Sequence, residues 1–134
     1  MSARQPVNSS FKIHRERDGQ VVVGRCRLAA TFISRLRGWM FTDPVASDQG
    51  LLLNPCNDIH MGFMRFPIDA VFLVALDQPA SRSTRFEVTS IRSGLRPWKL
   101  IPVRDGRAQA TLELPEGAAS RSGLAPGEVL ICSN

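Results

Sequence analysis

The chain has 134 residues, 43% of them apolar, 22% charged and 7% aromatic. That length fits one domain with a real core, and the apolar content excludes a disordered chain. The longest apolar run, Ala70 to Leu76, has seven residues, against the roughly 20 a spanning helix needs. Residues Met1 to Pro6 lack the apolar stretch of a signal peptide. The expectation is a cytoplasmic protein without a membrane partner.

The net charge of +5 rests on 17 basic residues, 15 of them arginine. They concentrate in two stretches, +6 over 1–40 and +5 over 82–107, while 41–81 carries −4 and 108–134 carries −2. A nucleic-acid binder shows basic stripes interleaved with aromatics. Here Arg15/Arg17, Arg25/Arg27 and Arg35/Arg37 sit at alternate positions and tyrosine is absent. The pattern reads as solvated faces, so nucleic acid is not the expected partner. Cys26, Cys56 and Cys132 form an odd set with no C-x-x-C pair. That excludes a zinc knuckle or thioredoxin-type motif and fits reduced thiols. Cys26 and Cys132 lie in apolar runs and read as small buried hydrophobes.

Residues 1–10 are polar and are expected to form a flexible N-terminus, followed by one β-rich domain over 11–134. Phe11 to Arg15 alternates like a strand, Asp18-Gly19 signals a tight turn, and Val21 to Leu28 follows as the second arm of a hairpin. The period then changes. Thr31 suits an N-cap, Phe32, Leu36, Trp39 and Met40 fall on one helical stripe, and Gly38 and Asp43-Pro44 end it. Gly50 to Leu53 reads as a short strand and 56–67 as irregular. Ile68 to Leu76 is apolar on both of its faces, which predicts a central strand covered on both sides. Further strands are expected at Phe86 to Ile91, Leu100 to Val103, Ala108 to Leu114 and Glu128 to Cys132, with a helical turn at Glu116 to Ser122. The fold class is mainly β: a compact β-sandwich or barrel, jelly-roll-like, with one or two short helices.

Chemistry-bearing residues concentrate between Cys56 and Asp69, in CNDIHMGFMRFPID. Cys56, His60 and Asp69 are the components of a nucleophile, base and orienter. On a helix Cys56 and His60 would be about 6 Å apart at Cβ; on a strand about 13 Å. Pro55, Gly62 and Pro67 disfavour a helix, so contact requires a turn. Cys56, His60, Met61 and Met64 are also soft metal ligands, but Met61 and Met64 beside Phe63 and Phe66 pack more simply as core, and neither a metal nor another cofactor is expected. Asp69 opens the buried strand and must find donors. Arg65, His60 and Arg35 are its candidate partners. A backbone cap tying helix and loop to the sheet is the architectural alternative to a role in chemistry. Glu113, between Leu112 and Leu114, faces either solvent or a pocket wall. Trp98 reads as packed in the core or under a flap, with an exposed binding aromatic as the alternative.

These residues carry a resemblance. Thr31, Arg35, Gly38 and Met40 form a first block. Gly50 with its leucines, then Cys56, His60, Met64, Pro67, Ile68, Asp69 and Phe72, form the second; Leu112-Glu113-Leu114, Gly117, Gly123 and Gly127 form the third. Over about residues 24–131 the chain resembles the bacterial and archaeal family of domain of unknown function 192, in a branch with a Cys-x-x-x-His motif. It departs from that pattern at Trp39, where Leu is usual, at Met61, where the branch commonly has Thr, and at Glu128, where Asp is common. The resemblance implies a compact β domain and no defined activity. Three functions follow as expectations. The first is a module binding a small molecule or peptide in a groove near 56–69, with Arg35, Met64, Arg65, Asp69 and Glu113 as binding residues. The second is a hydrolase or transferase using Cys56 and His60 with Asp69. The third is a basic partner-docking module. A monomer or weak dimer is expected.

Overall fold

The computed structural model describes residues 10–98 and 101–134. Its nine strands are β1 Phe11–Arg15, β2 Val21–Ala29, β3 Gln49–Leu53, β4 Asp58–Ile59, β5 Ile68–Ala75, β6 Arg85–Leu95, β7 Val103–Arg104, β8 Ala110–Pro115 and β9 Val129–Ser133. Two short helices, α1 Phe32–Arg37 and α2 Ala118–Arg121, and a 3-10 turn at Ala80–Arg82 complete the regular structure. Seven strands close a barrel in the order β1-β2-β3-β8-β5-β6-β9, and β4 pairs with β7 in a separate ribbon. Of the sandwich and barrel alternatives, the chain takes the barrel. Closure leaves the barrel sheet without an unpaired edge. The flexible N-terminus expected over 1–10 falls outside the described residues, save Ser10.

Local sequence accounts for much of this. The hairpin β1–β2 turns at Gly19, whose φ of 72° suits the glycine of Asp18-Gly19. β2 and β3 run parallel, so the chain must cross over between them, and α1 lies in that crossover. The expected strand at Leu100 to Val103 is only the two-residue β7, and Leu100 lies outside the described residues.

The period-2 alternation of the strands creates two cores. One fills the barrel: Leu52, Val71, Leu73, Leu112 and Leu114 meet Ile13, Val23, Phe86 and Leu130. The other lies outside the barrel wall, where Leu51, Leu53, Ile68, Ala70 and Phe72 are covered by Trp39, Ile59, Met61, Met64 and Phe66. β5 is thus buried on both faces, as its composition predicts.

α1 departs from expectation. Thr31 caps it, accepting from the Ser34 N–H at 3.1 Å, yet none of its residues is buried. The helix stops at Gly38, whose φ of 51° turns the chain. Trp39 therefore drops into the outer core against Phe66, with ring centroids 5.7 Å apart, while Phe32 and Leu36 stay exposed. The predicted apolar stripe is broken because the helical period ends before Trp39.

Candidate functional site

β8 decides which carboxylate faces the cleft. Leu112 and Leu114 point into the barrel, so Glu113 points out, in register with Leu51 of β3 and Ala70 of β5. α1 and its terminal turn lie over it. A Cβ on Gly38 would stand 3.1 Å from both Glu113 carboxyl oxygens, so a side chain at this lid position would press on the carboxyl, and the φ of 51° itself favours glycine. Glu113 is 4% exposed, and its Oε1 has no hydrogen-bond partner. Among the described residues it is the one buried side-chain polar atom so left. Burial pushes its pKa up to about 7, with the facing Trp39 backbone N–H offsetting part of the rise.

The opposite wall is the segment entering β4. The Cys56 N–H donates to the Gln109 carbonyl at 2.9 Å, and the Thr111 hydroxyl donates to the Cys56 carbonyl at 2.9 Å. These bonds fix the half-buried Cys56, whose thiol donates to the Asp58 carbonyl at 3.1 Å. Burial raises its pKa; the Thr111 hydroxyl and Asp58 backbone pull the other way, and the Glu113 and Asp58 charges add to the rise. The thiol is therefore protonated at neutral pH, the reverse of an activated nucleophile. His60 is exposed, with its ring beside Gly62, where a Cβ would stand 3.3 Å from Nδ1. Among the described residues no hydrogen bond joins His60 to Cys56.

Between these walls lies a cleft of about 240 Å³. Arg35, Cys56, His60, Met64 and Glu113 all line it, with Phe32, Leu36, Met40, Leu53 and Ile59 supplying apolar surface. Five of the residues singled out from sequence thus meet at one place. Among the described residues no group of three or more His, Cys, Asp or Glu side chains is arranged to hold a metal.

Two of the singled-out residues stand elsewhere. Arg65 pairs with Asp43 at 3.0 Å on the surface. Asp69 points to the inner side of β5, opposite to Ala70 and Phe72, and is wholly buried. Its Oδ1 accepts from the Gly94 N–H at 2.9 Å, and its Oδ2 accepts from the Gly117 and Ala119 N–H groups at 3.0 and 3.1 Å. The expected partnership with Arg65, His60 or Arg35 is corrected, while the alternative of a backbone cap holds: Asp69 ties β6 and the start of α2 to β5. Arg35 instead donates to the Ala30 carbonyl. The sequence reading also missed Gly38 as the lid of the cleft. Its signal was a glycine between a capped helix and a tryptophan.

The profile of the domain of unknown function 192 family, described as an uncharacterized ACR, matches residues 13–132. The chain belongs to this family. Its fold recurs in a protein of unknown function from Novosphingobium aromaticivorans DSM 12444, 25% identical, with a TM-score of 0.72 over 96% of this chain and 90% of that one. A Sinorhizobium meliloti 1021 protein, provisionally described as a transcription regulator, is 20% identical with a TM-score of 0.76 over 96% of this chain and 98% of that one. At that identity the second likeness concerns the fold alone. No curated protein matches the chain.

Proposed function

We propose that this member of the family is a binding module whose site is the cleft between α1 and the 55–60 segment, taking a small organic molecule or one side chain of a peptide. The observation that carries this reading is the Glu113 carboxyl. A buried polar atom without a partner is costly, and here it lines a cleft that a ligand with a hydrogen-bonding group would occupy. The apolar walls would hold the ligand body, and polar groups at the floor and rim would orient it. The raised Cys56 pKa and the lack of a bond to His60 favour binding over the Cys/His enzyme. Arg15, Arg17, Arg25, Arg65 and Arg85 each pair with an acid within 3.0 Å, so part of the basic charge is already neutralised within the protein, which weighs against a nucleic-acid stripe.

A fragment screen read by methyl NMR tests the proposal. Hits are expected to shift the Met40 and Met64 methyl signals, and Leu36→Trp, which fills the cleft from an exposed position, is expected to remove them. Cys56→Ala is expected to keep binding. Hits that move only signals elsewhere, or that survive Leu36→Trp unchanged, would overturn the assignment.

A further inference from the structure

Three aromatic side chains crowd the surface beside the cleft, each from a different loop. Phe41 follows α1, Phe63 precedes β5 and Trp98 follows β6. Phe41 stacks on Phe63 and Phe63 meets Trp98 edge-on, both at 5.0 Å between ring centroids. Despite this contact the residues are 51%, 48% and 58% exposed. All three are left-handed, with φ of 62°, 62° and 65°. Bulky side chains rarely adopt that region, and glycine would relieve it. The strained turns are held by the Phe41 N–H donating to the Phe63 carbonyl at 3.0 Å and the Trp98 N–H donating to that of Met61 at 2.8 Å. Strain of this kind persists where the surrounding structure fixes it, and it clusters at functional surfaces.

The cluster adjoins a second unusual surface. Met40 and Met64, the chain neighbours of Phe41 and Phe63, line the same cleft as Phe32 and Leu36 of α1. On that helix Phe32, Ile33 and Leu36 are 57–70% exposed. Arg35 and Arg37 lie among them, and among the described residues neither has a carboxylate partner within ion-pair distance. Exposed aliphatic and aromatic side chains interleaved with unpaired arginines are the makings of an interfacial surface.

We propose that this face seats the protein peripherally on a membrane containing anionic phospholipid. The aromatic cluster and the apolar side chains of α1 would enter the boundary between headgroups and acyl chains, where aromatic rings are favoured. Arg35 and Arg37 would meet lipid phosphates. Charge argues for this occupant over a second copy. A two-fold contact through the same patch places unpaired arginines near their own counterparts. Single-stranded nucleic acid is disfavoured because the rings already occupy one another's faces and edges, leaving less free surface for stacked bases. The expectation of no membrane partner rested on the lack of a spanning segment, and peripheral seating needs none. The face shares Phe32, Arg35 and Leu36 with the wall of the cleft, whereas Phe41, Phe63 and Trp98 lie outside its lining, so the aromatic variants test the seating apart from what the cleft binds.

The test is co-sedimentation with phosphatidylglycerol/phosphatidylcholine vesicles and with phosphatidylcholine alone, together with tryptophan emission. The chain has two tryptophans, and Trp39 is buried, so a blue shift and quenching by brominated lipid report on Trp98. Binding is expected to the anionic vesicles, weakened by salt and at least several-fold weaker in Arg35→Gln/Arg37→Gln. Phe41→Gly and Phe63→Gly separate function from folding. They are expected to retain or raise thermal stability while vesicle binding falls several-fold, whereas a purely structural role would lower stability. Absence of wild-type binding to anionic vesicles, or undiminished binding by the glycine variants, overturns the proposal. So does a concentration-dependent dimer abolished by those variants, which would assign the face to a second copy.

Discussion

Replacing Glu113 by glutamine should stabilise the protein above neutral pH. The carboxyl binds its proton more tightly in the folded chain, with a pKa of about 7 against an ordinary 4.5. A raised acid pKa means that stability falls as pH rises from the unfolded value through the folded one. Below about pH 4.5 both states are protonated and the penalty vanishes; above about pH 7 it is complete. At about 1.4 kcal/mol per tenfold in proton affinity, the gap amounts to about 3 kcal/mol. Because the side chain is buried at the floor of the cleft, with only 4% exposed, little of this is screened. Glutamine matches the shape of the neutral acid, keeps an oxygen for the Trp39 N–H and carries no charge. Urea unfolding of wild type and Glu113→Gln between pH 4.5 and 8.5 should give curves that nearly meet at the acid end. They should separate by about 3 kcal/mol at the basic end, about 10 °C in Tm for a domain of this size. Parallel curves, or a variant less stable than wild type at pH 8, would refute the reasoning, because either outcome means that the ionised carboxylate has a partner.

Asp69→Ala should lose about 3–5 kcal/mol in urea unfolding, since it removes the acceptor shared by three N–H groups, one buried and two partly buried, and each one left unpaired costs about 1–3 kcal/mol. A loss below about 1 kcal/mol would show that the tie between β5, β6 and α2 is dispensable. The three cysteines should alkylate in a fixed order with iodoacetamide, followed by mass spectrometry. Cys56 should react slowly at pH 7 and faster only above its ordinary range, Cys132 later because burial pushes it up to about 11, and Cys26 only on unfolding, as the most deeply buried thiol. Rapid alkylation of Cys56 at pH 7 would revive the Cys/His enzyme.

Much of the fold is local and could be read in the chain. The hairpin follows from two alternating runs around Asp18-Gly19, and the capped start of α1 from Thr31. The double burial of β5 follows from apolar residues at both parities. The segment from 56 to 69 stood out because it gathers Cys, His, Met and Asp around glycine and prolines. Alternation also predicts that Asp69 and Ala70 face opposite sides, and likewise Leu112 and Glu113. It does not say which side is the barrel interior.

That was settled by pairings between distant strands. β8 lies between β3 and β5, so Glu113 meets Leu51 and Ala70 on the outer face and falls beneath Gly38, while Asp69 turns inward to the amides of α2. Sequence reasoning put Asp69 beside Cys56 and His60 because it is near them in the chain. The barrel put Glu113 there instead, from more than fifty residues away. Closure rather than a two-sheet sandwich, the early stop of α1 and the outward turn of Phe41, Phe63 and Trp98 are likewise tertiary. A strand's own sequence fixes which residues share a face, but only long-range packing fixes what that face meets.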